Sequence, residues 1–406
     1  MVQVDSRVGA LYIHVPFCAQ KCAYCAFYSE ALQGDWIERY LTALVAEMER
    51  VAHDLAPRTI FFGGGTPSLL TMRQWERVFR AMDRFGWRNA AEWTVECNPA
   101  TVSLDKARLW REAGVNRVSM GVQSFDAALL ERLGRVHTRA AAFRSFDTLR
   151  RAGFDNVNVD LMFAIPGQTL EVWRRTLDEA LALGSEHLSC YEVIYEEDTP
   201  LFAQLKAGRF AVDEDLACAM YEELVQRAGS AGFYQYEIAN FARDTRLNGG
   251  GDREGRPARG KNGAGSAAIG LPAFACRHNV NYWRGGDFYG LGPSATSSVR
   301  GVRTQNVGDT RRYCEALDRG QRAVAFRETL SPLARAGETA AFGLRMIQGW
   351  GFDEFRRVTG FDLREEWAAD MEAVSARGWG VIEPARFRLT PVGLRFADAA
   401  AEYFLR

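Results

Sequence analysis

The first half of the chain repeats one rhythm: a short apolar run, a polar or glycine-rich loop, then a segment of helical period. A run over 10–15 ends at Pro16. Arg58–Phe62 leads into Gly63-Gly64-Gly65-Thr66-Pro67, and Glu92–Val95 into Glu96-Cys97-Asn98-Pro99. Arg117–Met120 ends in Gly121-Val122-Gln123-Ser124, Asn156–Met162 leads towards Ile165-Pro166-Gly167-Gln168-Thr169, and His187–Val193 carries Ser189-Cys190-Tyr191-Glu192. Helical patterns over 41–51, 104–113, 140–152 and 170–183 fill the gaps. Strands that alternate with helices pair in parallel through right-handed crossovers. Six of them predict an α/β fold, a partial (β/α)6 barrel rather than a closed eightfold one. Its polar motifs would gather at the carboxyl ends of the strands, where barrels place their sites.

The first strand delivers three cysteines on one short loop, Cys18, Cys22 and Cys25. Thiolates this close suit soft metals, and short cysteine runs hold iron–sulfur clusters. A cubane has four irons, so three ligands would leave one iron open to a small molecule. A structural zinc site and unconnected core cysteines are the competing readings. Zinc usually takes four protein ligands from separated pairs, and no second C-x2-C or H-x3-H occurs. The remaining cysteines, Cys97, Cys190, Cys218, Cys276 and Cys314, are scattered and read as small buried residues.

Composition narrows the class. With 406 residues, 47% hydrophobic, and a net charge of -1, the chain can bury a large core and gives no electrostatic footprint for nucleic acid. The segment 1–9 lacks the apolar centre of a signal peptide, and no stretch reaches membrane-spanning length, so a cytoplasmic location is expected. Eight cysteines in such a length are not a disulfide framework.

C-x3-C-x2-C, Gly-Gly-Thr-Pro, Glu96-Cys97-Asn98-Pro99, Gly121-Val122-Gln123-Ser124-Phe125, Leu133-Gly134-Arg135-Val136-His137 and Asn158-Val159-Asp160-Leu161-Met162 occur in the order of one family. The chain resembles the radical S-adenosylmethionine (SAM) proteins, in the branch that holds the coproporphyrinogen III dehydrogenases (HemN) and the heme chaperones (HemW). The resemblance implies a [4Fe-4S] cluster on Cys18, Cys22 and Cys25. It also implies SAM contacts from Tyr12, Gly64 and Glu96, and a second SAM position lined by Tyr24, Gly65, Thr66, Gln123, Arg135 and Asp160. The residue types fit: carboxylates accept from ribose hydroxyls, and an arginine clamps a carboxylate. Dehydrogenases of the branch carry a fourth cysteine two positions after the third, where this chain has Phe27, and an amino-terminal extension that is short here. Both features favour the chaperone side.

Further on stands His278-Asn279-x-x-Tyr282-Trp283. From spacing alone His278 reads as a hydrogen-bonded core residue and the two aromatics as packing. The resemblance implies instead that His278 binds heme, with Tyr282 and Trp283 beside the macrocycle. His137, beside Arg135, is a secondary candidate, His14 is expected to support the cluster loop, and His53 and His187 to be structural.

Four parts follow: a barrel core over 1–245, a Gly/Arg-rich loop expected to be disordered over 246–272, the heme-motif region over 273–327, and a winged-helix-like cap over 328–406. The cap is expected to be helical over 328–347, 351–358, 365–377 and 391–403, with a hairpin at 380–389, and to cover the barrel mouth. One departure is Ser294-Ala295-Thr296-Ser297, where the branch often has a histidine. The expected function is that of a heme chaperone passing heme to apo-hemoproteins, as monomer or dimer, touching membranes only through membrane-bound recipients. The alternatives are oxidative decarboxylation of coproporphyrinogen and a radical SAM methyl transfer.

Overall fold

The computed structural model describes residues 6–31, 36–244 and 270–406. Six parallel strands pair in chain order: β1 (Val8–Val15), β2 (Leu55–Gly64), β3 (Glu92–Cys97), β4 (Arg117–Gln123), β5 (Val157–Phe163) and β6 (His187–Glu192). The partial barrel expected from the rhythm is there, and it carries additions. Strand Tyr289–Leu291 joins the free edge of β1 in parallel, and Asn240–Arg243 and Phe233–Gln235 extend β6 in antiparallel sense, giving nine strands in one sheet. One strand added beside β1 and two beyond β6 cover edges that the six-stranded sheet would leave bare.

Alternation along each strand divides the side chains between two faces. On β3, Trp93 and Val95 are fully buried against the helices, whereas Glu92, Thr94 and Glu96 turn to the barrel axis. On β4 and β5, Val118, Met120, Val157, Val159 and Leu161 go outward; Arg117, Ser119, Asn158 and Asp160 go inward. The outer layer is closed by Trp75 of helix Met72–Arg84, Trp110 of helix Leu104–Ala113 and Trp173 of helix Leu170–Ala182, all at 0% exposure. Trp75 meets Trp110 edge-on at 5.7 Å, and Phe79 meets Trp93 at 5.7 Å. The helices start where the sequence provides caps: Thr71 and Gln74 form a reciprocal capping box, and Gly114 ends helix Leu104–Ala113 at positive φ.

After the barrel, the order of elements departs from expectation. The stretch from 328 begins not as helix but as the end of strand Val324–Thr329, the edge of a three-stranded antiparallel sheet with Thr296–Val299 and Val302–Asn306. Helix Pro332–Gly343 starts only at Pro332, whose fixed φ suits a first turn and whose missing N–H costs nothing there, with Ser331 as cap. Helices Phe352–Thr359, Leu363–Glu366 and Ala368–Ala376 follow, and Trp350–Gly351, Arg386–Leu389 and Gly380–Glu383 form a small antiparallel sheet. This order of helix, strand, helices and hairpin is winged-helix-like, around a separate core of Trp350, Phe355, Trp367, Phe387 and Phe404. Of the Gly/Arg-rich stretch, 246–269 lies outside the described residues.

Candidate functional site

A cavity of about 510 Å³ opens at the carboxyl ends of the barrel strands. Its wall combines the three loop cysteines with Tyr24, Gly64, Gly65, Thr66, Glu96, Gln123, Arg135 and Asp160. Every SAM residue expected from the sequence is on it except Tyr12. That side chain lies below, its hydroxyl 3.0 Å from His14 Nδ1, under the ring of Phe61. Met162, Ser119 and Tyr191 also line the cavity. Sequence reasoning passed over them, although alternation from Asp160 and Cys190 places Met162 and Tyr191 at strand ends.

The cysteine loop is zipped to the glycine loop. Gly65 N–H donates to Val15 O at 2.8 Å, Thr66 N–H to Phe17 O at 2.7 Å, and Glu30 N–H to Pro16 O at 2.7 Å. His14 bridges from beneath, with Nε2 2.8 Å from Tyr28 O, as expected of a support. The glycines are sterically required. A Cβ on Gly64, at φ +101°, would lie 2.4 Å from the His14 ring, and one on Gly65 2.7 Å from two backbone carbonyls. A Cβ on Gly63 would come within 3.0 Å of Glu96 Oε2.

The three thiols are free and partly exposed. Thr66 Oγ1 donates to Cys18 Sγ at 3.6 Å, and Arg135 Nη1 to Cys22 Sγ at 3.5 Å. Burial pushes the Cys25 thiol up. Among the described residues no three His, Cys, Asp or Glu side chains could hold one metal ion between them. A cubane takes each thiolate on a different iron, and thiols set apart around one wall fit that donor set.

Electrostatics deepen inward. Burial pushes the Glu96 carboxyl up to about 8; the Asp160 carboxylate adds to this, while the Gly64 N–H and the Arg117 guanidinium oppose it. Asp160 is raised by burial too, though Asn158 Nδ2 donates to it at 2.7 Å and Ser119 Oγ at 3.3 Å. Arg135 also donates to Gly121 O, and its Nε is buried with no partner among the described residues. Gln123 is held at φ 68°, where non-glycine backbone is strained, and accepts from Tyr191 Oη at 2.8 Å. An orphaned guanidinium nitrogen, a carboxyl ready to ionise beside a cation, and a glycine cradle suit an amino-acid ligand that also carries positive charge.

The heme motif is elsewhere. Helix Arg277–Trp283 stoppers the opposite, amino-terminal end of the strands. The Glu92 carboxylate, first in β3, accepts from Arg277 N–H at 2.8 Å and His278 N–H at 2.9 Å, and from the Cys276 thiol. His278 is 1% exposed, stacked at 5.3 Å on Phe61, with Nδ1 3.0 Å from Thr59 Oγ1 and Nε2 2.8 Å from Tyr282 Oη. Burial and then Arg117 lower its pKa to about 3. In this arrangement both ring nitrogens are engaged, the environment of a hydrogen-bonded core histidine, and the ring offers no free nitrogen to a heme iron. Trp283 packs under Arg345, 5.0 Å away, and Tyr282 against Phe288.

The carboxyl-terminal unit grips this stopper instead of covering the mouth. Arg284 Nη1 donates to Gly349 O at 2.8 Å, Ile238 N–H to Arg345 O at 3.2 Å, and none of the cavity wall comes from 328–406. His137 is not on the cavity wall either. It is 3% exposed, Nε2 3.1 Å from Val122 O, and lowered to about 4 by burial and Arg135. His187 is structural as expected, between Asn158 Oδ1 at 2.6 Å and Tyr236 Oη at 2.8 Å.

Residues 12–180 match the Radical SAM superfamily profile. The chain is 32% identical to the heme chaperone HemW of Lactococcus lactis over 98% of both chains. It is 32% identical to that of Bacillus subtilis over 90% of this chain and 91% of the other, and 35% identical to that of Escherichia coli over 71% and 70%. The solved structure of Escherichia coli coproporphyrinogen III oxidase (HemN), described as a radical SAM enzyme, superposes with a TM-score of 0.80 at 20% identity. That superposition covers 99% of this chain and 91% of the other, and bears on the fold alone.

Proposed function

The chain belongs to the radical SAM superfamily and, within it, to the family of HemW heme chaperones, and on that footing we propose that it binds heme and hands it to apo-hemoproteins. The observation that carries this reading is likeness to those chaperones from end to end, through the cysteine loop and the carboxyl-terminal unit alike. Phe27 supports it from within the site, standing where the dehydrogenases of the branch have a further cysteine.

Membership of the superfamily implies a [4Fe-4S] cluster and SAM. Cys18, Cys22 and Cys25 would hold the cluster, which when bound supplies a low-potential electron and an open iron for SAM. The chain's own residues do the rest. Gly64 and Gly65 keep side chains out of the cradle, and Thr66 and Arg135 orient two of the thiols by donating to sulfur. Glu96 holds a proton below about pH 8 and offers a carboxylate to a cation above it. The Tyr191–Gln123 bond fixes an amide at the wall, where Met162 adds an apolar side chain.

Heme ligation by His278 is proposed only for a form in which helix Arg277–Trp283 has left the barrel floor, since Tyr282 and Thr59 occupy both nitrogens while it is seated. Among the described residues no helix is long and apolar enough to cross a membrane. The place of action proposed is the cytoplasm, with membrane contact only through a recipient.

The test is anaerobic heme titration of cluster-reconstituted protein, followed by mixing with an apo-cytochrome. Saturable uptake and transfer, without change to the porphyrin, are expected. Failure to take up heme, with decarboxylated porphyrin from coproporphyrinogen, would replace this reading by the dehydrogenase one.

A further inference from the structure

A row of buried polar side chains runs along the barrel from the cavity wall to the stopper. Asn158 Nδ2 donates to Asp160 Oδ1 at 2.7 Å, and Asn158 Oδ1 stands 2.6 Å from His187 Nδ1. His187 Nε2 is 2.8 Å from Tyr236 Oη, which accepts from Cys276 N–H at 3.1 Å. Cys276 immediately precedes helix Arg277–Trp283. Between the two ends, Asn158, His187 and Tyr236 are at most 3% exposed, so bulk water cannot take over a lost bond.

The chemistry of the groups gives this row one direction. Asp160, with Asn158, Ser119 and Ser189 all bonding to it, acts as an acceptor. The Asn158 amide must therefore turn its NH2 to Asp160 and its oxygen to His187. Burial and then Arg117 keep the imidazole neutral, with a single N–H, and that proton must sit on Nδ1 to meet the Asn158 oxygen. Nε2 is then bare and takes the Tyr236 proton, which leaves the phenol oxygen to accept from the helix. Every donor points from the stopper towards the cavity, and the Asp160 carboxylate sets the direction of them all.

A carboxylate has about four acceptor sites, and three donors already share this one. A ligand that brings two neighbouring hydroxyls, as a ribose does, competes with Asn158 for its charge. Once the amide is no longer held, nothing fixes the His187 tautomer. With the proton on Nε2 instead, the Tyr236 hydroxyl faces donors on both sides, and the hold on Cys276 N–H is lost.

We propose that this row is a one-way relay that couples the cavity to the barrel floor: a ligand whose hydroxyls take Asp160 loosens helix Arg277–Trp283 and bares His278. The inference rests on the heme-carrier reading above and supplies what lifts the helix in the form which that reading needs. By linkage, heme held on a lifted helix favours a filled cavity in turn.

Hydrogen–deuterium exchange over 276–284 reads the coupling. It is followed in the cluster-reconstituted full chain with and without saturating SAM, the cluster left oxidised so that SAM stays intact. The same pair of measurements is made on His187→Phe, a position off the cavity wall and outside the helix. Isothermal titration sets the SAM concentration for each protein. SAM is expected to speed exchange over 276–284 about tenfold in the wild type and to leave helix Ala368–Ala376 unchanged. In His187→Phe exchange should be fast from the start and indifferent to SAM. Tyr236→Phe, which keeps the ring and removes only the hydroxyl, carries the same test should His187→Phe fail to fold. Exchange that SAM leaves unmoved or slows in the wild type, absence of SAM binding, or a response that persists in the variants overturns the proposal. Heme uptake is read separately by the titration above. Uptake without a response to SAM sinks the relay alone, whereas a response to SAM without uptake sinks the carrier reading and leaves the coupling standing.

Discussion

Glu92→Gln is expected to loosen helix Arg277–Trp283 without disturbing the cavity. The carboxylate takes two backbone N–H groups at 2.8 and 2.9 Å, at 4% exposure, beside the Arg117 guanidinium at 2%. Hydrogen bonds to an ionised group contribute roughly 1.5–3 kcal/mol each. Glutamine keeps the shape but offers one acceptor oxygen and turns an amino group towards the second N–H. It also strips Arg117 of a counter-charge in a place where water cannot replace it. One charged bond lost, one weakened to the neutral kind, and a buried cation left short of a partner sum to about 2–4 kcal/mol. At about 1.4 kcal/mol per decade, amide exchange over 276–284 should speed up roughly 30- to 1,000-fold. Hydrogen–deuterium exchange read peptide by peptide gives this directly, with the peptides over 60–66 and 94–98 as internal controls. Exchange over 276–284 within about threefold of wild type would refute the argument that Glu92 latches the stopper.

Replacing Cys18, Cys22 and Cys25 together by Ala should abolish iron uptake on reconstitution while the melting temperature of the metal-free chain hardly moves, whereas Cys97→Ala or Cys190→Ala should leave the iron count intact; elemental analysis decides. Gly64→Ala forces a Cβ into the His14 ring at a left-handed φ, and a cost of roughly 2 kcal/mol or more with loss of iron and SAM binding is expected, measured by thermal unfolding and isothermal titration. Glu96, raised to about 8 when folded and near 4.5 when unfolded, binds a proton in the folded state that the unfolded chain has lost between those values. The stability of the metal-free protein should therefore fall as pH rises from 5 to 8 through this group, and Glu96→Gln should flatten that slope in urea unfolding. His278 has the opposite sign: its folded value of about 3 lies below the ordinary 6.5, so acid should destabilise the seated helix progressively below pH 6.5, seen as faster exchange there.

The barrel could be read from the chain because each of its strands ends in residues that strands dislike, and period-3.6 helices follow at once. The cavity was legible for the same reason: residues on the carboxyl ends of consecutive parallel strands have nowhere to go but one rim. What failed was reading across the break in that rhythm. Tyr289–Leu291 is a three-residue strand with a glycine at its centre, and only its parallel pairing to Leu11–Ile13 makes it one. Val324–Thr329 lacks the buried face that gives alternation its signal, so its strand character is set by pairing with Val302–Asn306. The surroundings of His278 could not be placed by any local rule, because its partners Thr59, Phe61 and Glu92 are on strands about two hundred residues away.

The inward faces of β3 to β6 put glutamates, an arginine, asparagine, aspartate, serines and a histidine along the barrel axis, while the tryptophans stand outside, between sheet and helices. Cohesion and chemistry thus occupy different shells of the same strands. Apart from the Glu92–Arg117 pair that latches the barrel floor, the axis contributes little net burial energy, so its residues can be exchanged for others of matched hydrogen-bonding capacity without endangering the scaffold. The tryptophan shell has no such latitude. A chain built this way can drift in what it binds while it is held strictly to how it folds, and a search for altered ligand choice is best confined to the inward positions of alternate residues.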